Sequence, residues 1–124
     1  MLPKQERLTK SSEFAFIYRK RKSVANSLLI LYVGNKKRDK AAPTRTGFVV
    51  GKKVHKKAVK RNRIKRLMRE VYKDISRTEN FLLKDYQNLI FIARPSIIES
   101  DYHKIHAAMQ DCIKKAYKKF NDQK

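Results

Sequence analysis

The sequence predicts a single α+β domain, and three observations carry that reading. Apolar residues recur at helical spacing over 64–75 and again over 102–117. Elsewhere they come in short runs of strand length, centred on Leu28 to Val33, Phe48 to Val50 and Asn88 to Ala93. The chain has 124 residues, a size that buries one core, and no internal repeat or domain boundary is visible.

Residues 1–10 are polar and basic and read as an arm with little order of its own. Thr9, Ser11 or Ser12 offers an N-cap oxygen for a first helix reaching about Lys20. Phe14, Ile17 and Tyr18 share a face of it. For the i,i+4 pair Phe14 and Tyr18 two readings stand: both rings are core, or they stack unpaired bases among the neighbouring cations. Arg19-Lys20-Arg21-Lys22 closes or follows this helix, where cations complement the negative end of the helix dipole. Val24 to Val33 is a strand region. Its centre, Leu28 to Val33, is apolar without alternation, as in a strand covered on both sides, with Tyr32 in line with Leu28 and Ile30. Gly34 to Thr46 is a charged loop holding Lys36, Lys37, Arg38 and Lys40; it reads as a mobile hairpin connection, with a phosphate contact as the alternative that the sequence does not decide. Thr46 to Val54 is the next strand. Gly47 and Gly51 flank its centre and mark a bulge or a close backbone approach.

The stretch from Lys52 to Glu70 dominates the chain. Ten of its first eighteen residues are Lys or Arg, and its first acidic residue is Glu70. Within it a helix runs from about Lys57 to Ser76. Ile64, Leu67, Met68, Val71, Tyr72 and Ile75 form one apolar stripe. At about 100° per residue, Asn62, Arg66, Arg69 and Lys73 fall on the opposite face, while Arg63 and Lys65 flank the stripe. Like charges this dense repel by a few tenths of a kcal/mol per close pair, so a polyanion is the natural partner. Arg77 to Lys84 is a connection, Asn88 to Ala93 a short strand ended by Pro95, and Ser100 or Asp101 caps a last helix to about Lys119. Tyr102, Ile105, Met109, Cys112, Ile113, Ala116 and Tyr117 make its core stripe. Residues 1–8 and 120–124 are expected to fray.

Charge narrows the function. There are 32 Lys and Arg against 11 Asp and Glu, a net +21, which favours nucleic acid or an anionic membrane surface. The run Leu28 to Val33 is far too short to span a bilayer, and MLPKQERLTK lacks a signal-peptide apolar core, so a cytoplasmic location is expected. The single cysteine, Cys112, has no internal disulfide partner and reads as buried packing. The chain is poorly equipped as a stand-alone enzyme. Its eleven carboxylates are scattered, with no paired set to hold Mg²⁺ for phosphoryl chemistry. His103 and His106 lie one turn apart beside Asp101 without a clear third ligand, which is a weak metal signal. His55 is either a phosphate contact or a solvated turn residue. Binding is well provided for, since each phosphate neutralised by Lys or Arg releases counterions.

The segment Lys60-Arg61-Asn62-Arg63-Ile64-Lys65-Arg66, after Gly47 and Lys52-Lys53, resembles the RNR motif of the bacterial ribonuclease P protein subunit. Arg7-Leu8, Phe14, Tyr18, Ser23-Val24-Ala25-Asn26, Tyr32 and Ile92-Ala93-Arg94 resemble the rest of the family pattern in order, over roughly residues 7 to 117. The family often has Gly near Arg21 and near His55, so local backbone geometry is the point to check there. The resemblance implies the order αβββαβα and a central, mostly antiparallel four-stranded sheet packed by helices. It also implies a left-handed βαβ crossover through the basic helix, as in the second domain of ribosomal protein S5, against the usual right-handed preference. It further implies a protein that helps a catalytic RNA subunit remove the 5′ leader of precursor tRNA, with Mg²⁺ bound mainly by that RNA and no protein partner required. Carried over by position, Arg63, Lys65, Arg66 and Arg69 grip the RNA subunit. Phe14, Tyr18, Tyr32, Lys53, Val54, Arg61 and Asn62 line the leader cleft, and no catalytic residue lies in the protein. Two rivals fit charge and size: a ribosomal-type structural RNA-binding protein, and a DNA-binding protein using the basic helix in the major groove.

Overall fold

The structure, a computed structural model, describes residues 3–78 and 80–121. A 3-10 turn at Lys4–Glu6 leads into α1 (Ser11–Arg19), β1 (Ser23–Ala25), β2 (Leu29–Val33), β3 (Arg45–Val49), α2 (Ala58–Ser76) and β4 (Asn88–Ala93). A second 3-10 turn at Pro95–Glu99 then precedes α3 (Tyr102–Phe120). The strands form one sheet in the order β1-β2-β4-β3. β1 with β2 and β2 with β4 are antiparallel, whereas β3 and β4 are parallel neighbours joined through α2. The αβββαβα order and the mixed four-stranded sheet agree with the expectation.

The strand region Val24 to Val33 is split by one side chain. Asn26 Oδ1 accepts from the Leu28 and Leu29 N–H groups at 3.1 and 2.9 Å, turning the chain. Its Nδ2 donates to the Ala108 carbonyl at 2.8 Å and to Asp111 Oδ2 at 3.0 Å, tying that turn to α3. Arg94 Nη1 adds a bond to the Asn26 carbonyl at 3.2 Å. The loop after β2 is not a hairpin connection, because β4 lies between β2 and β3. β4 is apolar on both faces and almost wholly buried, so the centre of the sheet is where its surface is best covered. The loop therefore passes the end of β4 and is held there. Lys36 bridges to Tyr86, the Lys37 N–H donates to the Asp85 carbonyl at 2.7 Å, and the Gln87 N–H donates to the Asn35 carbonyl at 2.7 Å.

β3 ends at Val49 rather than Val54, since its one strand neighbour, β4, stops at Ala93 before Pro95. The chain turns instead, with the Val54 N–H on the Gly51 carbonyl at 3.0 Å. Nothing lies within 4 Å of a Cβ built on Gly51; Gly47 is the one with a close neighbour. α1 starts without a side-chain cap. Lys10 occupies the N-cap position, and Ser11 and Ser12 fall inside the first turn. Asp101 caps α3 by accepting from the Lys104 N–H at 2.9 Å.

The sheet has two unequal faces. Leu29, Leu31, Val33, Leu89 and Phe91 point into the main core beneath α2 and α3. α2 contributes Ile64, Met68, Val71, Tyr72 and Ile75, the predicted stripe, with Leu67 partly buried at its margin. Burial pushes the Tyr72 phenol up to about 12 and the Cys112 thiol up to about 11, which keeps both neutral. The opposite face is covered only in part, by Leu8 and Ile17 against Ile90. Residues 3–8 are not frayed, and their order is borrowed from the sheet. Arg7 bridges Thr46, and the Leu8 N–H donates to the Thr46 carbonyl at 3.0 Å. At the other end Phe120 is buried as the last residue of α3. The fraying expected for residues 1, 2 and 122–124 lies outside the described residues. Among the described residues no helix is long and apolar enough to cross a membrane.

Candidate nucleic-acid interface

Two surfaces follow from this packing. The first is the outer side of α2. Because the apolar stripe fixes how the helix rolls onto the core, Lys60, Asn62, Arg63, Arg66 and Arg69 are exposed, and Arg61 and Lys65 half-buried. Among the described residues no cation of α2 belongs to an ion pair; the pairs present are Arg45–Glu13, Arg77–Glu6 and Lys115–Asp111. The cations therefore crowd together without ion-pair partners and far outnumber the nearby carboxylates of Glu70, Asp74 and Glu99, a surface that gains by meeting phosphates. Arg63 borders a cavity of about 350 Å³ with His55, Lys60 and Glu99, while Arg69 borders a smaller recess of about 100 Å³ beside Phe14 and Gly47.

The second surface is the open part of the sheet. Phe14, Tyr18, Tyr32, Val49 and Ile92 are half-buried around the small core of Leu8, Ile17 and Ile90. The Phe14 and Tyr18 ring centroids are 6.3 Å apart, and Tyr18 meets Tyr32 edge-on at 5.0 Å. Phe14 lies directly over Gly47, where a Cβ would fall 2.5 Å from its Cζ. The glycine thus serves close approach rather than a bulge. Burial, and then Tyr32 beside it, push the Tyr18 phenol above its ordinary value. The rings are neither fully core nor free: each packs against the small core of the sheet while some of its surface stays open.

The other expected cleft residues divide. Lys53 and Asn62 are exposed, but Val54 is turned inward and joins the main core, so its side chain offers no surface to a base. Arg61 is not a free fork. Its Nη1 donates to the His55 and Lys56 carbonyls at 2.9 and 2.8 Å, closing the turn before α2. His55 takes part in the same turn, its Nδ1 accepting from the Lys57 N–H at 3.0 Å, so it is a turn-forming residue rather than a merely solvated one. His103 and His106 flank the Tyr102 ring at 5.7 and 5.9 Å, and the Tyr102 hydroxyl donates to Asp74, which joins α3 to α2. Sequence reasoning placed His55 in a turn but missed that Arg61 closes it. A readable signal existed only for Asn26, an Asn followed by a strand.

The backbone at the two positions where glycine was expected behaves differently. Arg21 has φ 53°, the left-handed region that glycine occupies without strain, whereas His55 has no positive φ. The sequence profile of the family described as Ribonuclease P matches residues 2–117. The chain belongs to the ribonuclease P protein family. Ribonuclease P protein components of Alkaliphilus metalliredigens and Clostridium botulinum are each 39% identical to it, over 109 and 113 residues. Those matches cover 88% and 91% of this chain, and 91% and 96% of the relatives. A solved ribonuclease P protein of Staphylococcus aureus superposes with a TM-score of 0.75 at 33% identity, covering 91% of this chain and 96% of that one.

Family membership makes the chain the protein component of an endoribonuclease ribonucleoprotein that processes tRNA, and its partner an RNA subunit. It sets aside the ribosomal and DNA-binding rivals. Among the described residues no three or more His, Cys, Asp or Glu come together in a group that could hold a metal ion.

Proposed function

We propose that the chain holds the RNA subunit with the exposed cations of α2 and holds the 5′ leader of precursor tRNA on the open face of the sheet. The observation that carries this reading is the adjacency of the two surfaces. Arg69 of α2 and Phe14 of the aromatic group border the same recess, so an RNA subunit on the cations and a leader on the rings would lie side by side. Arg63, Lys65, Arg66 and Arg69 then neutralise phosphates of the RNA subunit. Phe14, Tyr18 and Tyr32 offer ring surface to unpaired leader bases, and the exposed Lys53 and Asn62 are assigned to the same leader. Arg61 acts by fixing the turn that aims Lys53 and the start of α2, and Val54 by anchoring it. The hydrolytic centre and its Mg²⁺ belong to the RNA subunit, no second protein is required, and the cytoplasm is the compartment.

The test measures binding on each surface separately. Arg66→Ala with Arg69→Ala should weaken RNA-subunit binding and flatten its log–log salt dependence by about one unit per lost contact. Tyr18→Ala should weaken leader-bearing precursor more than mature tRNA, by about 1–3 kcal/mol for a lost stack. An unchanged salt slope sinks the α2 assignment. Equal losses for precursor and mature tRNA sink the cleft.

A further inference from the structure

α1 has a second aromatic side. Phe16 lies about 160° around the helix from Tyr18 and about 200° from Phe14, so it faces away from the cleft. Among the described residues, Phe16 and Val59 are the large hydrophobic side chains left exposed, and Phe16 is 46% exposed. It is not simply facing bulk solvent. Phe16 forms one wall of a cavity of about 460 Å³, whose other walls come from the 34–44 loop and from Gln87, the residue before β4. Lys36, Lys37 and Arg38 line this cavity with Asp39 as its one acid, and Lys20 Nζ stands 5.0 Å from the Phe16 ring centroid. Asp39 is partly engaged, since its Oδ1 accepts from the Ala41 N–H at 2.9 Å.

The floor of this cavity is fixed by the backbone bonds from Lys37 to Asp85 and from Gln87 to Asn35, so the cations sit on a tethered segment. Lys36 Nζ is drawn off to the Asn121 carbonyl at 3.3 Å and towards the Tyr86 ring, which leaves Lys20 beside the exposed ring and Lys37 and Arg38 in the lining, a set that suits an occupant both anionic and flat. Its volume lies within the range of small-molecule sites, roughly 300–1,000 Å³. Lys37 is partly desolvated, and that burial lowers its pKa despite Asp85 and Asp39 nearby, a tension that a phosphate would relieve. Asn35 and Gln87 add amide groups to the lining, able to donate and accept.

We propose that this cavity is a second nucleotide site, in which an unpaired RNA base stacks on Phe16 and its phosphate lies between Lys37 and Arg38. It goes beyond the leader cleft and does not depend on it, because α1 separates the two. The nucleotide can come from the leader or from a loop of the RNA subunit, and the chemistry of recognition is the same.

The full chain is titrated with a labelled ten-nucleotide single-stranded RNA and with a duplex of the same sequence, at one fixed salt concentration. Phe16 is exposed, so Phe16→Ala should fold normally. It should weaken single-strand binding about 5-fold or more, the equivalent of about 1 kcal/mol for one stack, and leave duplex binding unchanged. Phe16→Tyr should restore it, and Lys37→Ala with Arg38→Ala should weaken it and reduce the salt slope. The loss from Phe16→Ala should persist in a Tyr18→Ala background. If Tyr18→Ala is silent while Phe16→Ala is not, the cleft reading fails and this site stands. If Phe16→Ala binds single strands as well as the parent, or loses duplex equally, the site is wrong. Repeating the comparison with leader-bearing precursor, mature tRNA and the isolated RNA subunit assigns the source: the RNA whose binding suffers supplies the nucleotide.

Discussion

Gly47→Ala is the sharpest probe of the cleft, because a single methyl group would strike the ring proposed to meet the leader. Gly47 has no positive φ, so alanine is allowed by the backbone and the cost is contact alone. The new Cβ would lie 2.5 Å from Phe14 Cζ and 2.7 Å from Cε1, with Leu8 Cβ at an ordinary 3.5 Å. Reaching normal carbon contact requires the ring to retreat by about 1 Å. Overpacking of this kind costs about 1–3 kcal/mol. Replacing a strand glycine returns about 0.5–1 kcal/mol of conformational entropy, so the net loss of stability is about 0–2.5 kcal/mol. In a Phe14→Ala background the obstacle is gone, and the same substitution should be neutral or stabilising by up to about 1 kcal/mol. The double-mutant cycle therefore predicts a coupling of about 1–3 kcal/mol. Urea denaturation of the four proteins measures it, and binding of precursor with and without leader tests the functional arm. Gly47→Ala should weaken the leader-bearing substrate selectively. If it costs the same with and without the Phe14 ring, the ring does not rest on the glycine. If the coupling appears but leader binding is untouched, Phe14 is a packing residue and not a leader contact.

Two further substitutions test the frame that holds the cleft. Asn26→Ala removes the side-chain bonds to Leu28, Leu29, Ala108 and Asp111, and should cost about 2 kcal/mol in a denaturant melt. Asn26, then Lys115, hold the Asp111 carboxyl below its ordinary value. A carboxyl depressed in the folded state contributes stability above its unfolded pKa, near 3.9, and loses it as pH falls through the folded one. The variant should accordingly show a shallower acid-side loss than the parent. Arg21→Gly relieves the left-handed φ of 53°. That strain is worth about 1–2 kcal/mol for an L-residue, less about 0.5–1 kcal/mol for glycine's extra freedom when unfolded, so the melt should shift upward by about 0.5–1 kcal/mol. A downward shift would mean that the Arg21 side chain contributes more to folding than its backbone costs.

The sequence by itself determined the local structure and the charge that goes with it. The stripe from Ile64 to Ile75 set the roll of α2, and with it the exposure of Arg63, Arg66 and Arg69, because a 3.6-residue period relates face to position without help from the rest of the chain. The Asp101 cap, the strand Asn88 to Ala93 and buried Cys112 were legible for the same reason, and the RNR segment was legible as a motif. Tertiary structure decided which elements meet. An apolar run such as Leu28 to Val33 states that a strand is covered but not by what, so only the folded chain set β4 between β2 and β3 and turned the supposed hairpin into the wall of a cavity. The same holds for single side chains. Phe14 over Gly47, Val54 turned into the core, Arg61 spent on two carbonyls and Asn26 bonded to α3 all depend on where backbone from another part of the chain comes to lie. Periodicity in one segment carries no record of that neighbour, since long-range contacts are fixed by the packing of the whole chain rather than by its local preferences.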